Sequence, residues 1–343
     1  MAVCFVAPLT RQHPGGLTSQ GEILYDLHRA ESNRFLAVSD KRNRYQRLLH
    51  IARFLVVNRR RITIQCLSVY SGPSFVLADL ISGLGKALGQ KIVLHFHGGG
   101  LPDLFARRPD WARRVLRRGN ALVAPSLFLA RAVRNLGFEC QIIPNVICLD
   151  DYPFRERAKI EPRLFWMRSF HPIWNPEMAV KVLARLRERG IAATMVMGGS
   201  DKGSLRSVRQ LVTELKIRDA VRFPGFLDRG GKAREGHAAD VFLNTNRLDN
   251  MPVAVVEACT MGLPVVSTNV GGIPDLLTDG ETGLLVASDN VKGMASAVTR
   301  LLKDPELTRK LSRNGRLLAE QSDWSAVKEH WRSLFRQLEN DFS

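Results

Sequence analysis

Short β-branched and aromatic runs alternate with longer segments of helical periodicity along nearly the whole sequence. Strands separated by helices pair in parallel, because each helix carries the chain back along a face of the sheet. The alternation runs through the first half, breaks in a polar, proline-bearing stretch at 149–162, and then starts again. The sequence therefore predicts two successive doubly wound α/β domains joined by a linker.

The individual elements are predicted from apolar runs, glycine turns and proline positions. In the first half, strands are predicted at 3–9, 62–67, 92–96, 121–124 and 141–143, and helices at 17–28, 46–57, 74–88, 109–118 and 127–136. In the second half, strands are predicted at 164–167, 194–197, 220–223, 241–243 and 264–267, and helices at 176–189, 205–215, 253–261 and 273–277. Asp304-Pro305 is typical of a further helix start. From Trp324, apolar residues recur at helical spacing, which predicts a closing helix with one buried face.

Composition limits the class of protein. The 343 residues suffice for two domains of about 150 residues each. With 45% hydrophobic and 24% charged residues, the chain is not disordered. The net charge of +17 predicts an anionic partner, and residues 1–150, with 21 basic and 9 acidic side chains, hold most of the excess.

The cysteines and the apolar runs indicate a compartment. The five cysteines show no paired short spacing, which fits neither a disulfide framework nor a zinc site and favours the reducing cytoplasm. The first nine residues are too short for the core of a signal peptide, and no apolar run reaches the ~18 residues of a membrane span. Without an Asp-x-Asp pair or a histidine cluster, neither a metal ion nor another cofactor is expected.

The segment 249–275 carries the clearest chemistry. A helix that begins near Pro252 presents unpaired N–H groups and the positive end of its dipole, which suits a phosphate. Asp249 precedes this start and Glu257 lies about one and a half turns inside the helix, so both carboxylates can accept hydrogen bonds from the hydroxyls of a ligand seated there. Gly271-Gly272 allows close backbone approach to the same crevice. For either acid alone, a helix cap or a solvated helix position is the favoured interpretation, whereas the combination points to a sugar-bearing phosphate.

The order of these motifs resembles a known family. Two acids separated by seven residues, Asp249 and Glu257, are followed by Gly262-Leu263-Pro264-Val265-Val266 and by Gly271-Gly272-Ile273-Pro274-Asp275. This set resembles the retaining family 4 glycosyltransferases of GT-B fold, the glycosyl transferases group 1. A weaker likeness covers the rest of the chain through Gly15-Gly16, Ile143-Pro144-Asn145, Arg168 and Phe223-Pro224-Gly225.

The resemblance implies the domain arrangement. It implies an α/β protein of GT-B fold, in which two doubly wound Rossmann-like domains face each other across a cleft. Residues 1–150 would form the acceptor-side domain and residues 151–321 the domain that binds the nucleotide sugar. Residues 322–343 would form a closing helix that returns to the first domain and packs across both.

The resemblance also implies roles for single residues. Arg168 would pair with the donor diphosphate, Asp249 would hold the transferred sugar and Glu257 the nucleotide ribose. The remaining donor-binding positions are glycine turns and the helix mouth: Gly15, Gly16, Asn250, Met251, Val253, Gly271 and Gly272. Arg168, Asp249 and His97 are the candidate catalytic residues. For His97, which ends a strand before three glycines, a hydrogen bond within the domain is the equal alternative, and His95 is expected to belong to the fold.

Two positions depart from the family pattern. Asp249 stands where the family usually has Glu, which shortens the donor-sugar contact by one methylene. The loop at 170–176 lacks the lysine that usually follows Arg168, so one cation for the leaving diphosphate is missing. Lys202 and Arg206 are the candidates to replace it.

An arginine-rich helix is predicted at 110–118. Its apolar residues fall on one arc of roughly 140°. The opposite side holds Arg113, Arg114, Arg117 and Arg118, with Arg107 and Arg108 preceding them. We expect these side chains to point outward to an anionic membrane surface or a soluble anionic acceptor; a solvated face is the alternative.

Together these features predict a glycosyltransferase that moves a sugar from a nucleotide-diphosphate donor to a glycan or lipid-linked acceptor in bacterial-type polysaccharide or glycolipid assembly. Retention of configuration, independence of metal, and a cytoplasmic location, peripheral on the inner face of the membrane, are implied with it. A non-catalytic sugar-nucleotide-binding protein and a GT-B-like epimerase remain open alternatives. Nucleic acid is not an expected partner, because only 7% of residues are aromatic and the basic clusters are not interleaved with stacking residues.

Overall fold

A computed structural model describes residues 2–9 and 18–340 of the chain. The chain divides into two compact units. The first comprises residues up to Val146 together with those from Trp324 onward, and the second comprises Ile147–Asp323. The divisions lie two to four residues from the predicted domain bounds at 150 and 321.

The first unit is built on a six-stranded parallel sheet in the order β2-β1-β3-β4-β5-β6. Its strands are β1 (Ala2–Val6), β2 (Phe35–Val38), β3 (Ile62–Val69), β4 (Lys91–Phe96), β5 (Ala121–Ala124) and β6 (Gln141–Ile142). Its helices are α1 (Gln20–Glu31), α2 (Arg44–Val57), α3 (Ser74–Ala87), α4 (Leu101–Arg107), α5 (Pro109–Leu116) and α6 (Leu127–Arg134), with α14 (Trp324–Asn340) at the end of the chain.

Helices cover both faces of this sheet. One core joins the strands to α2–α6, around Phe75, Phe96 and Phe105. The other joins them to α1 and α14, around Phe5 and Trp331. The strands are apolar on both sides because both of their faces are buried, and the buried face of α14 follows from its helical spacing of apolar residues.

The second unit contains another six-stranded parallel sheet, in the order β12-β11-β10-β7-β8-β9. Its strands are β7 (Arg163–Met167), β8 (Thr194–Gly198), β9 (Val221–Gly225), β10 (Val241–Asn244), β11 (Val265–Thr268) and β12 (Leu284–Val286). Its helices are α7 (Pro176–Glu188), α8 (Leu205–Glu214), α9 (Arg229–Ala238), α10 (Val253–Thr260), α11 (Ile273–Leu276), α12 (Val291–Lys303) and α13 (Pro305–Glu320).

Successive side chains of β7 point to opposite faces of the sheet and pack into two different cores. Leu164 and Trp166 pack into a core with α7, α8 and α12, whereas Phe165 and Met167 pack into a second core with α10 and α11. The prediction of two doubly wound parallel α/β units is confirmed.

Five elements lie outside the predictions, namely β2, α4, α9, β12 and α12. Most predicted bounds shift by one to three residues, and α5 ends at Leu116 rather than at 118. No helix in the described part of the chain is long and apolar enough to cross a membrane. All five cysteines are free thiols, and four of them are buried.

The stretch at 149–162 is not the free linker that its polarity predicts. Tyr152 and Arg157 are buried in the second unit. The Arg157 guanidinium donates to the carbonyls of Gly236 (2.7 Å) and Ala239 (3.0 Å) near the end of α9, and to that of Met261 after α10. Helix ends leave such carbonyls without partners, so the arginine fastens this segment to the domain.

Candidate functional site

The candidate site lies at the carboxyl edge of the second sheet, where β7 and β10 are neighbours although β8 and β9 separate them in sequence. Chain direction across the sheet reverses between these two strands, which leaves a crevice at their ends in doubly wound folds. Arg168 directly follows β7, and Asp249 lies in the loop between β10 and α10. The topology thus brings together two residues that are distant in sequence.

Asp249 is only 7% exposed, and both oxygens of its carboxylate have partners. It accepts hydrogen bonds from the Asn246 side-chain amide (2.8 Å) and the Asn250 backbone N–H (2.8 Å), and it forms an ion pair with Arg168. Burial raises the pKa of Asp249, while Arg168 and the two N–H donors act in the opposite direction. The carboxylate therefore has both a cation and hydrogen-bond donors to stabilise its charge.

Arg168 is held from a second side by Trp174. The guanidinium carbon lies 3.8 Å from the centroid of the indole ring, a close cation–π contact. The indole N–H donates to the Ser169 hydroxyl at 3.1 Å, which fixes the ring in the loop after β7. The loop that lacks the family lysine thus supplies an aromatic platform for the arginine.

The glycine turn at 271–272 packs against the loop that carries Asp249. Gly271 has a φ of +57°, and a Cβ there would collide with the carbonyl oxygen of Asp249. The Gly272 N–H donates to that same oxygen at 2.9 Å. In this structure, the turn predicted to approach a ligand packs against the backbone of a site residue.

The N-terminus of α10 does not present the row of ligand-facing backbone amides that the sequence predicts. The Asn250 N–H donates to the Asp249 side chain, the Met251 N–H donates to the Asn250 side chain, and Pro252 has no N–H. Polar side chains just before a helix often bond to nearby amides in this way. The first-turn amides that begin at Val253 stand at the positive end of the helix dipole.

Glu257 lies on the buried side of α10 and is 6% exposed, so it is not a solvated helix position. Its Oε1 accepts hydrogen bonds from the Tyr152 hydroxyl (2.7 Å) and the Lys232 ammonium (2.7 Å), and its Oε2 accepts one from Lys232 (3.0 Å). A carboxylate offers about four acceptor positions, so one remains on Oε2. Burial and the charge of Glu257 raise the pKa of Tyr152, which keeps the phenol protonated as a donor.

His97 of the first unit is buried beside His95 and Tyr70. The ring centroids of the two histidines are 4.0 Å apart, and His97 stacks on Tyr70 at 5.2 Å. Burial lowers the pKa of His97 to about 3, so the imidazole is neutral at neutral pH. Its Nε2 has no hydrogen-bond partner among the described residues. His95 packs against Trp331 of α14, as expected for a residue of the fold.

The six arginines predicted near α5 differ in exposure, and Arg113 is only partly exposed. Arg107, Arg108, Arg114 and Arg117 are exposed. Arg118 does not point outward as expected: it turns to α3 and donates to the Asp79 carboxylate and carbonyl oxygens, each at 2.6 Å. Asp79 also binds Arg114 (2.5 Å) and the indole N–H of Trp111 (2.6 Å). This one acid therefore draws part of the predicted basic face inward.

The second-unit network includes side chains that were not predicted, namely Tyr152, Lys232, Trp174 and Asn246. Tyr152 lies in the presumed linker, Lys232 on the unpredicted helix α9, and Trp174 in a loop considered only for its missing lysine. An aromatic residue within a polar stretch was the one available signal for Tyr152. Gly15 and Gly16 lie outside the described residues.

Residues 154–318 match the sequence profile of the family described as glycosyl transferases group 1. The matched segment includes Arg168, Asp249, Glu257 and the 271–272 turn. The second unit is a glycosyl transferases group 1 domain. This finding confirms, for this part of the chain, the resemblance to glycosyl transferases group 1 that the spacing of Asp249 and Glu257 carried.

Two curated relatives extend the comparison of the group 1 domain. The chain is 29% identical to the D-inositol 3-phosphate glycosyltransferase of Actinosynnema mirum over 187 residues, which are 52% of this chain and 45% of that protein. It is 25% identical to the putative colanic acid biosynthesis glycosyltransferase WcaL of Salmonella typhimurium over 289 residues, 78% of this chain and 69% of that protein. The first match thus spans less than half the length of the relative.

A solved structure matches nearly the whole chain. The Anabaena protein Alr3699/HepE, crystallised with UDP and glucose, is similar with a TM-score of 0.80 and 16% identity, covering 98% of this chain and all of that one. At this identity the likeness concerns the fold alone. The expected GT-B fold is thereby confirmed, with the group 1 domain as its second unit.

Proposed function

We propose that this chain is a glycosyltransferase that takes a sugar from a nucleoside-diphosphate donor and places it on a glycan or lipid-linked acceptor. The observation that carries the proposal is Arg168, held between Asp249 and Trp174 at the crevice of the group 1 domain. The similarity to glycosyltransferases, one of them assigned to colanic acid biosynthesis, supports the same activity. Polysaccharide or glycolipid assembly is the corresponding role.

Arg168 would act on the leaving group. When the bond between the sugar carbon and the diphosphate breaks, negative charge accumulates on the departing phosphate oxygen. A guanidinium held in place and the first-turn amides of α10 stabilise that charge without reorganisation during the reaction. Trp174 holds the guanidinium by stacking on it, so the side chain can exchange one carboxylate contact for a phosphate without leaving the site.

The two acids would hold the neutral parts of the donor. Asp249 would accept a hydrogen bond from a hydroxyl of the transferred sugar while it remains close to Arg168. Glu257 would accept one from a ribose hydroxyl at the remaining position on Oε2, while Tyr152 and Lys232 hold its other positions. In this proposal, Lys232 is a positioning residue for Glu257.

The transfer would proceed with retention and without a resident metal. The acceptor hydroxyl would attack the sugar carbon on the face from which the diphosphate departs, and its proton would pass to the departing phosphate oxygen. One carbon–oxygen bond forms as another breaks, and the products are the glycosylated acceptor and a nucleoside diphosphate. The support for retention is the resemblance in the order of the motifs around Asp249 and Glu257.

The acceptor would bind in the first unit. A cavity of about 260 Å³ lies at the carboxyl ends of β1 and β3, where the strand order of the first sheet reverses. Residues that line it include Val6, Ala7, Arg47, Ser68, Tyr70 and Leu77. His97 stacks on Tyr70, and its neutral imidazole would contact a sugar hydroxyl.

The enzyme would work in the cytoplasm, with the exposed arginines near α5 drawing it to the inner face of the membrane.

The test is a panel of nucleoside-diphosphate sugars, scored first by thermal stabilisation and then by release of nucleoside diphosphate with glycan and lipid-linked acceptors. A donor at ~100 times its dissociation constant should stabilise the fold by roughly 2.7 kcal/mol. Glu257→Ala should abolish that stabilisation, whereas Glu306→Ala, at an 82% exposed side chain of α13, should not. Stabilisation without turnover would instead indicate a sugar-nucleotide-binding protein, and an inverted centre or free sugar without acceptor would indicate an epimerase.

A further inference from the structure

The outer face of α2 carries large apolar side chains that the fold does not bury. Tyr45 is 64% exposed, Leu49 70% and Val57 71%, and Val56 also lies at the surface. Monomeric proteins show scattered exposed leucines, but several on one helix indicate an interaction surface. The neighbouring helix α3 adds Val76 and Leu80, one turn apart and about half exposed.

Helical geometry separates this stripe from the core of the first unit. At 100° per residue, Tyr45, Leu49 and Val56 fall within roughly 40° of one another. The residues of α2 that pack inward, Ile51 and Leu55 among them, are centred roughly 130° away. The helix therefore has one apolar stripe for the sheet and a second one that faces solvent.

Basic side chains surround the second stripe. Residues 41–61 contain eight Lys and Arg and no Asp or Glu. Within the described part of the chain, none of the six arginines at 42, 44, 53, 59, 60 and 61 forms an ion pair with a carboxylate. Exposed arginines without acidic partners leave a positive field around an apolar surface.

Helices α2 to α5 lie on the same face of the first sheet, so their outer sides form one surface. Arg107, Arg108, Arg114 and Arg117 are exposed on α4, on α5 and in the adjoining turns. We define the docking face as the exposed apolar residues of α2 and α3 together with these arginines and those at 41–61.

We propose that the docking face inserts into the interface of a membrane rich in anionic lipid. The apolar side chains of Tyr45, Leu49 and Leu80 would enter the boundary between headgroups and acyl chains. The arginines would bind the phosphates of the headgroups. Exposed aliphatic side chains favour a lipid surface over a nucleic acid, because they offer bases no stacking partner and phosphates no charge.

The proposal has two separable signatures. The arginine contribution should weaken as salt rises, since the Debye length shortens from about 10 Å at 0.1 M to 3 Å at 1 M. The apolar contribution should persist in salt, because it follows buried area rather than charge. Binding to a soluble polyanion would show only the first signature.

The experiment is co-sedimentation of the full chain with vesicles of phosphatidylcholine, with and without phosphatidylglycerol, in low and high salt. The key variant is the double substitution Leu49→Gln with Leu80→Gln, which changes no charge and replaces two leucines outside the buried core. Its matched control is Leu317→Gln, at a 60% exposed leucine of α13 in the other unit. A second variant, Arg53→Gln with Arg60→Gln, is paired with Arg189→Gln with Arg218→Gln, at two exposed arginines of the other unit.

The wild type and both controls should bind acidic vesicles and retain part of that binding in high salt. The leucine variant should partition at least about tenfold more weakly at every salt concentration. The arginine variant should lose binding mainly in low salt.

A wild type that ignores acidic vesicles in low salt would overturn the proposal. Binding that is unchanged in the leucine variant and fully released by salt would also overturn it, and would indicate a soluble polyanion such as nucleic acid. The assay contains neither donor nor acceptor, so its failure is distinct from failure of the proposed sugar transfer.

Discussion

The carboxyl edges of the two sheets hold polar groups in opposite ways. In the second unit, Arg168 faces Asp249 and Lys232 faces Glu257, so each buried carboxylate has a cation beside it. In the first unit, His95 and His97 are buried against aromatic rings, with no acid beside them among the residues that the structure describes, and burial lowers the pKa of both. One edge, the paired edge, places each buried carboxylate beside a cation, and the other, the neutral edge, buries uncharged imidazoles.

The difference follows from the cost of burying charge. An ionised group stays ionised inside a protein only when an opposite charge or several hydrogen bonds replace its water, and otherwise its pKa moves toward the neutral form. The paired edge is therefore ready to exchange contacts with an anionic diphosphate. The neutral edge offers an imidazole and a phenol, which suit uncharged hydroxyls.

Removal of one charge from the paired edge should have the largest effect. Asp249→Ala leaves Arg168 without its carboxylate and removes the proposed sugar contact, so we expect kcat/KM for transfer to fall about 100-fold or more. Asp249→Glu keeps the ion pair and should retain most of the activity. Steady-state kinetics with the preferred donor would measure both, with Asp219→Ala, at a 67% exposed side chain, as the control. Full activity in Asp249→Ala would show that this residue only caps the loop.

The neutral character of the first unit should appear as acid sensitivity. Burial, together with the nearby Arg34, Arg332 and Lys328, lowers the pKa of His28 from 6.5 to about 4 against the opposing effect of Glu31. Between pH 6.5 and about pH 4, the unfolded chain binds a proton at His28 that the folded chain does not bind. The free energy of unfolding therefore falls as the pH drops below 6.5. His28→Phe should remove about 2 kcal/mol of this loss near pH 5.

Urea unfolding at a series of pH values would measure the His28 effect. His330→Phe, at an exposed histidine of α14, is the control for the loss of one histidine. If His28→Phe loses stability with acid as steeply as the wild type, the ring is not held neutral in the fold.

Lys232→Met would convert one charged pair of the second unit into a lone buried carboxylate. We expect KM for the donor to rise about tenfold with a smaller change in kcat, because the proposed contact of Glu257 is with the ribose and not with the reacting bond. Lys303→Met, at an exposed lysine on α12, should change neither constant. A fall in kcat with KM unchanged would contradict the ribose assignment.

The smallest effect is expected at Trp174, which contributes no charge. Trp174→Leu removes the ring below Arg168 and should lower kcat/KM about fivefold, as the loss of one cation–π contact implies. Trp174→Phe should restore part of the rate, because the ring face remains. Equal rates for Leu and Phe would show that only the volume of the side chain matters.

The sequence by itself determined the architecture. Long, strongly periodic elements such as α2, α7 and α14 and apolar strands such as β4 are predictable, because hydrophobic periodicity is fixed locally. The missed elements lack that signal. Helix α9 (RGGKAREGHA) has few apolar residues and three glycines, and β2 and β12 have four and three residues. Such elements form because neighbouring strands and helices complete them.

The sequence also indicated the chemistry of the site, but not its partners. The spacing of Asp249 and Glu257 around a helix start is enough to point to a phosphate-bearing ligand with hydroxyls. Only the fold decided that Arg168 meets Asp249 and Trp174, and that Lys232 and Tyr152 meet Glu257. Sequence periodicity carries no information about pairs separated by a sheet crossover, since the strand order sets their distance.

Packing between elements that are distant in sequence also decides which charged side chains reach the surface. Sequence determined that the first unit carries an excess of arginine, and tertiary structure decided which arginines reach solvent. Asp79 on α3 draws Arg118 inward because two helices far apart in sequence pack side by side on one sheet face. The exposed stripe on α2 likewise became visible only when the packing showed which apolar residues the core leaves uncovered.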